Sequence, residues 1–256
     1  MRTLLAAVVT AVSAATAHAA YAPPVHPSLP GYVAAALADP ARPADQRSRD
    51  PLRKPGELIA FAGIKPGDRV ADFISAGGYF TRIFSRVVGV TGRVYTFTPD
   101  EELRNCSIEE TAGTFELARD PGYPNIVTEV GPINDFVPPE KLDAIWTSQN
   151  YHDLHDPFLG PADIGKVNRN FFKALKHGGV LMIIDHVAQA GSGLRDTNTL
   201  HRIDPAAIVR EVEAAGFVLQ ARTDILRNPA DAHDLRVFDP AIRGRTDQVV
   251  LKFRRP

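Results

Sequence analysis

The chain is expected to fold as an α/β protein. It should form a doubly wound, mainly parallel sheet of seven strands with an antiparallel last strand, in a single domain with an N-terminal helical arm. Three observations predict this. Between 69 and 223, short, mainly apolar runs alternate with stretches of helical periodicity, which suits strands buried on both faces of a parallel sheet. The apolar run over 70–74 breaks at Ser75, Ala76, Gly77 and Gly78 straight into a helical stretch, the strand–turn–helix unit of such sheets. The last apolar run, 248–253, follows a long irregular connection instead of a helix, which favours an antiparallel pairing.

The N-terminus is the first element. Arg2 is followed by an almost wholly apolar run over 4–15 and then by Ala17, His18 and Ala19, a small-x-small pattern. Residues 1–20 therefore read as a secretory signal peptide cleaved near Ala19 or Ala20, with the protein exported to a periplasmic space. No stable membrane association is expected after cleavage. Cys106 is the single cysteine, so no internal disulfide can form and no lipid attachment is indicated. The chain is 44% hydrophobic and 23% charged with a formal net charge of -1, which gives no electrostatic reason to expect nucleic acid as a partner. A small molecule is the expected one.

Residues 21–55 are rich in Pro, Ala and charge, with short helices expected at 32–37 and 44–50. This arm is read as wrapping the core or covering a ligand cleft. The main domain, 56–256, opens with a helix over 56–62 and a turn at Lys65, Pro66, Gly67 and Asp68. Strands are expected at 69–74, 93–98, 126–130, 144–148, 180–185, 217–223 and 248–253, and helices at 79–88, 100–118, 161–176 and 205–215. The third helix is the clearest. Ile164, Val167, Phe171 and Ala174 share a face, Lys173, Lys176 and His177 fall in its last turn, and Gly178 with Gly179 stops it. Asp204 is placed to cap the fourth.

The chemistry concentrates at strand ends. Asp72 precedes a loop with no bulky side chain and a helix beginning at Tyr79, where a ligand can lie against bare backbone. The same stretch also reads as a tight turn with no ligand. After the fourth strand comes a dense run of Ser148, Gln149, Asn150, Tyr151, His152, Asp153 and His155. There His152, oriented by Asp153 or another acid, could serve as a base, and Tyr151 could face a cation; a polar loop capping the next helix is the alternative. His186 ends the fifth strand, and His201 with Arg202 follows a glycine-rich loop. In this fold His152, His186, His201 and Arg202 could converge above the sheet, where an arginine suits an anionic substrate. Several His and Asp could also ligate zinc or iron, but no tight ligand spacing is present and no metal is expected.

On these residues the chain resembles the class I, Rossmann-like, S-adenosylmethionine-dependent methyltransferases, and among them a group of predicted exported bacterial methyltransferases. The resemblance is carried by the stretch from Asp72 to Thr81, by Asn150 to Leu154, by Asp185 and His186, and by Leu200 to Asp204. Two tail pieces, Asn228 to Asp231 and Val237 to Gly244, add to it. It implies S-adenosyl-L-methionine as cofactor, held by Asp72, Ser75, Ala76, Gly77, Gly78, Tyr79, Thr98, Pro99, Glu101, Asn134, Ser148 and Gln149. It implies methyl transfer to a small-molecule acceptor, with His152, Asp153 and Tyr151 catalytic and Asn150, His186, His201 and Arg202 toward substrate. Counted from Asp72, the family's glycine positions fall on Ile74, Ala76 and Gly78. Its ribose-binding acid falls on Thr98, with Asp100 or Glu101 one turn later, and its adenine-side acid falls on Pro132, with Asn134 or Asp135 beside it. Two other readings stay open: an exported ligand-binding protein without catalysis, and a metal-dependent or hydrolytic enzyme built on the His/Asp cluster. The segment 236–245 reads as a lid or as a packed connection.

Overall fold

The structure, a computed structural model, describes residues 29–160 and 162–256. The signal peptide expected over 1–20 lies outside the described residues.

Helices α1 (Gly31–Leu37), α2 (Ala44–Arg47), α3 (Asp50–Arg53) and α4 (Pro55–Ala62) lead into β1 (Arg69–Phe73). The chain continues through α5 (Tyr79–Val88), β2 (Arg93–Pro99), α6 (Asp100–Asn105), α7 (Ile108–Arg119), β3 (Ile126–Gly131) and β4 (Leu142–Ser148). It closes with α8 (Ile164–Ala174), β5 (Leu175–His186), α9 (Thr197–Leu200), α10 (Pro205–Ala214), β6 (Val218–Thr223) and β7 (Gln248–Arg254). The sheet order is β3-β2-β1-β4-β5-β7-β6. All neighbours are parallel except β7, which runs antiparallel to both β5 and β6.

The central strands send alternate side chains to two apolar layers. Phe73 and Phe97 stack at 5.3 Å on one face, with Phe171 edge-on to Phe73 at 4.8 Å. Phe80, Phe84 and Trp146 fill the other, with Trp146 4.7 Å and 5.2 Å from the two phenylalanine rings. Strand order reverses between β1 and β4, which are adjacent although β2 and β3 separate them in sequence. A crevice at the carboxyl ends of these two strands is the ligand position of such sheets.

The largest local differences from the sequence expectation fall in three places. The helix expected over 100–118 breaks into α6 and α7 because Cys106 is extended, at φ -106° and ψ 162°. The arm helix expected over 44–50 splits at Ser48, and Pro51 starts a new turn in α3, where its missing N–H costs nothing. The helix expected over 161–176 ends at Ala174. Leu175 turns extended to pair with Leu142, so Lys176 and His177 belong to β5 and not to a last helical turn. Asp204 does cap α10, accepting from the Ala206 amide at 2.9 Å. Among the described residues no helix is long and apolar enough to cross a membrane.

Candidate functional site

A cleft of about 590 Å³ opens above the carboxyl ends of β1 and β4, walled on one side by α2 and α3. Its floor is the turn between β1 and α5. Ile74, Ala76 and Gly78 all have left-handed backbone, with φ of 55°, 47° and 71°. For glycine this costs nothing, but for a β-branched isoleucine it is strained, and it persists only where the surroundings impose it. The Ile74 amide donates to the Phe97 carbonyl at 3.0 Å. The Asn150 amide donates to the Ile74 and Phe73 carbonyls at 2.8 and 3.3 Å, and its own oxygen is held by the Thr147 hydroxyl. Arg82 and Gln46 donate to the Gly77 carbonyl at 2.9 and 3.3 Å. Asn150 therefore lines the cleft mainly as the brace of its floor.

Asp72 is buried at the end of the cleft and accepts from the Thr81 hydroxyl at 2.6 Å. Burial pushes its carboxyl up to about 7, against the Thr81 bond and the nearby Arg53 charge. At the start of α5, the Tyr79 hydroxyl donates to Asp50 at 2.6 Å, and Arg42 clamps the same carboxylate with two bonds of 2.7 and 2.8 Å. The guanidinium groups of Arg53 and Arg49 lie 4.4 and 5.3 Å from the Tyr79 ring centre, a cation–π arrangement that ties the arm to the floor. Arg53 reaches the Ser148 hydroxyl at 3.4 Å, and burial holds its pKa below the usual value. The cleft thus has a cationic wall from the arm, while Asp72, Glu102 and Asp153 supply acids elsewhere.

On the far side the 3-10 turn His152–His155 brings together a polar cluster. Asp185, wholly buried, accepts from His152 Nδ1 at 2.7 Å and from the His152 and His186 amides at 2.8 and 2.7 Å. His152 Nε2 faces Asp153 Oδ1 at 3.1 Å and His201 Nδ1 at 3.2 Å. His201 Nδ1 lies 3.5 Å from the same Asp153 oxygen, and Arg236 reaches its other nitrogen at 3.0 Å. Burial disfavours the charged form of His152, yet the carboxylates of Asp185 and Asp153 outweigh it and hold the ring's pKa well above normal. Of this cluster only Asp153 lines the cleft.

The structure brings Asp72, Ser75, Ala76, Gly77, Tyr79, Ser148, Gln149, Asn150 and Asp153 to the cleft, with Gly78 closing the floor turn. Other expected residues sit elsewhere. Tyr151 does not line the cleft: it is fully buried, its hydroxyl accepting from Asn168 at 2.8 Å and donating to Glu211 at 3.1 Å. Arg202 does not line the cleft, because it is buried in a two-bond pair with Asp231 at 2.9 and 3.1 Å. His186 is buried against the Thr246 hydroxyl, and burial lowers its pKa to about 3. Thr98 and Pro99 are enclosed in β2. Glu101 accepts from the Ile133 amide at 3.0 Å, and Asn134 accepts from the Asp163 amide at 2.8 Å, so both tie backbone together outside the cleft. Of the acids after β2, the one that lines the cleft is Glu102, one residue past those expected. The first turn of a helix after Pro99 would have shown that 101 and 102 point to different sides. Arg49 and Arg53, four apart in the arm, were also missed, as were Phe158 and Phe238.

No protein-family model matches the chain, and no curated protein matches it. Solved structures do. A SAM-dependent methyltransferase from Aquifex aeolicus superposes with a TM-score of 0.57 at 17% identity, over 86% of this chain and 97% of its own. A putative sarcosine dimethylglycine methyltransferase from Galdieria sulphuraria gives 0.55 at 16%, over 83% and 86%. The [4+2]-cyclase SpnF gives 0.57 at 19%, over 80% and 81%. At these identities the likeness is one of fold, and the chain has the class I methyltransferase fold.

Proposed function

We propose that the protein is an exported S-adenosyl-L-methionine-dependent methyltransferase acting on a small molecule. The observation that carries this is the floor turn. Ile74, Ala76 and Gly78 keep left-handed backbone at the three positions where the resembled family has glycines, although two of them are not glycine. Strain of roughly 1–3 kcal/mol per such residue is retained where a loop shape is needed for a ligand.

The residues around the turn fit the cofactor. The Ser75 hydroxyl and the Gln46 carbonyl oxygen line the cleft, buried and without a protein partner. A Cβ at Gly77 would meet no atom within 4 Å, so the ligand space begins at its backbone. Arg53 and Arg49 suit a carboxylate, Asp72 an ammonium and Glu102 a pair of ribose hydroxyls. The bound cofactor would supply an electrophilic methyl group. Asp153 is the side chain placed to take a proton from an acceptor in the cleft, with His152 as its positioning partner, itself fixed by Asp185.

Titration calorimetry with S-adenosylmethionine and its demethylated product tests the reading. Binding is expected for both, and Arg53→Ala should weaken it about tenfold or more, the worth of a hydrogen bond to a charged group. No heat at millimolar ligand would overturn it. Export belongs to the same proposal and rests on residues 1–20 of the sequence; a reporter fused behind them should be secreted.

A further inference from the structure

We propose that His152, Asp153 and His201 form a site for one divalent transition-metal ion of the zinc or iron(II) class at the rim of the cleft. The site does not need the cofactor reading to hold; with an ion bound, Asp153 is a ligand instead of the free base of that reading.

Three ligand atoms from two separate segments converge: His152 Nε2, His201 Nδ1 and Asp153 Oδ1, separated by 3.1, 3.2 and 3.5 Å. Metal bonds of about 2.0–2.2 Å put neighbouring ligands about 3.3–3.6 Å apart on a tetrahedral face and about 3.0 Å apart on an octahedral one. The observed triangle spans that range, so an ion can bind without rebuilding the site. Two imidazoles and one carboxylate are the donors of such ions and not of magnesium or calcium.

The second layer fits as well. Asp185 accepts from Nδ1 of His152, which leaves Nε2 turned toward the centre, the carboxylate–histidine–metal pattern. His201 holds left-handed backbone, φ 53°, at the end of α9, and its ring stands at 87° to that of His152. A strained residue that aims a ring at two other donors is a feature of functional sites. With Nδ1–H committed to Asp185, His152 Nε2 faces the Asp153 oxygen at 3.1 Å, a contact that a ring proton bridges when no metal is bound. A metal ion at the centre would take the place of that proton and be bound by all three groups at once. Asp153 and His201 keep side-chain exposures of 16% and 15%, and Asp153 lines the cleft, so an ion can enter and keep a position open to a small oxygen-bearing ligand. Arg236, exposed, reaches His201 Nε2, which must carry a proton once Nδ1 binds metal; the guanidinium then turns away to solvent.

The test uses the whole untagged chain, stripped with a chelator and titrated with zinc alone. One zinc per chain is expected by calorimetry and elemental analysis, and cobalt(II) loading should give the visible bands of a low-symmetry site. His201→Asn keeps a side chain suited to left-handed backbone, and Asp153→Asn keeps the shape. Each should lose zinc affinity at least tenfold with an unchanged far-ultraviolet spectrum. Asp185→Asn should cost about 10–100-fold, the usual effect of a second-layer change. Arg236→Ala should bind as tightly or tighter, and His177→Asn, remote from the cluster, should change nothing. A chain that retains no zinc overturns the proposal. So does zinc binding that His201→Asn and Asp153→Asn leave intact, or that His177→Asn removes; in the first case the cluster is bridged by a proton only.

Discussion

At the scale of single residues, Ala76 carries a cost that a smaller residue would remove. It is exposed and sits at φ 47°, where a Cβ crowds the following carbonyl by roughly 1–2 kcal/mol. Ala76→Gly is expected to stabilise the protein by about 1 kcal/mol in urea unfolding, and an unchanged or lower midpoint would mean that the turn is not held as described. Which side chains meet the cleft was partly legible. Asp72, Ser75 and Gly77 follow from one strand ending beside one helix. Asn150, Tyr151, His152 and Asp153 look alike as a run, but they enter a 3-10 turn that sends Tyr151 into the core and leaves Asn150 and Asp153 on the cleft. Direction within such a turn depends on what packs below it, here Glu211 and Asn168 for Tyr151.

At the scale of elements, the β1–α5 turn and the arm together wall the cleft. Gly77 lines the cleft, and its φ is not among the left-handed ones, so a side chain there strains nothing and projects into open space. Gly77→Val is therefore expected to fold with a melting temperature close to that of the parent. It should also lose binding of S-adenosylmethionine and its product; full binding by this variant would move the ligand off the turn. Gly78 behaves differently, since its positive φ and the Leu117 methyl 3.1 Å from a built Cβ make any side chain costly. The arm's role is the harder one to read from sequence. Arg42, Asp50 and Tyr79 form one hydrogen-bonded unit across the arm and α5, and no local pattern of Pro, Ala and charge specifies that Arg49 and Arg53 will end over the Tyr79 ring.

At the scale of the whole molecule, two buried groups give opposite pH dependences. Asp72 keeps its proton up to about 7 when folded, against 3.8 as its ordinary value, so the folded state binds more protons across that window. Its contribution is favourable at low pH and is lost as pH rises toward 7. His186 is held neutral down to about 3 against an ordinary 6.5, so the unfolded state binds more protons there, and stability is lost as pH falls from 6.5 toward 3. The two slopes offset each other between about 4 and 6.5, each worth up to about 1.4 kcal/mol per pH unit. Asp72→Asn should leave the histidine slope alone, so that the urea midpoint rises steadily with pH between 4 and 6.5. His186→Gln should reverse that trend. Identical pH profiles in the parent and in Asp72→Asn would rule out a raised carboxyl.

The sequence by itself determined the sheet and its reversed last strand, because apolar runs, helical periodicity and turn residues act over a few neighbours and sum to one topology. It also pointed to the ends of β1 and β4 as the place of a cleft, since that follows from where the strand order reverses. Only the tertiary structure decided the partners. Arg202 meets Asp231 in the core, His152 meets Asp185 and His201, Glu102 and not Glu101 turns to the cleft, and the arm supplies the cationic wall. Those meetings join residues 29 to 95 positions apart, as with Arg202 and Asp231 or Arg53 and Ser148. They depend on how loops pack against a finished sheet, which no local period in the chain encodes.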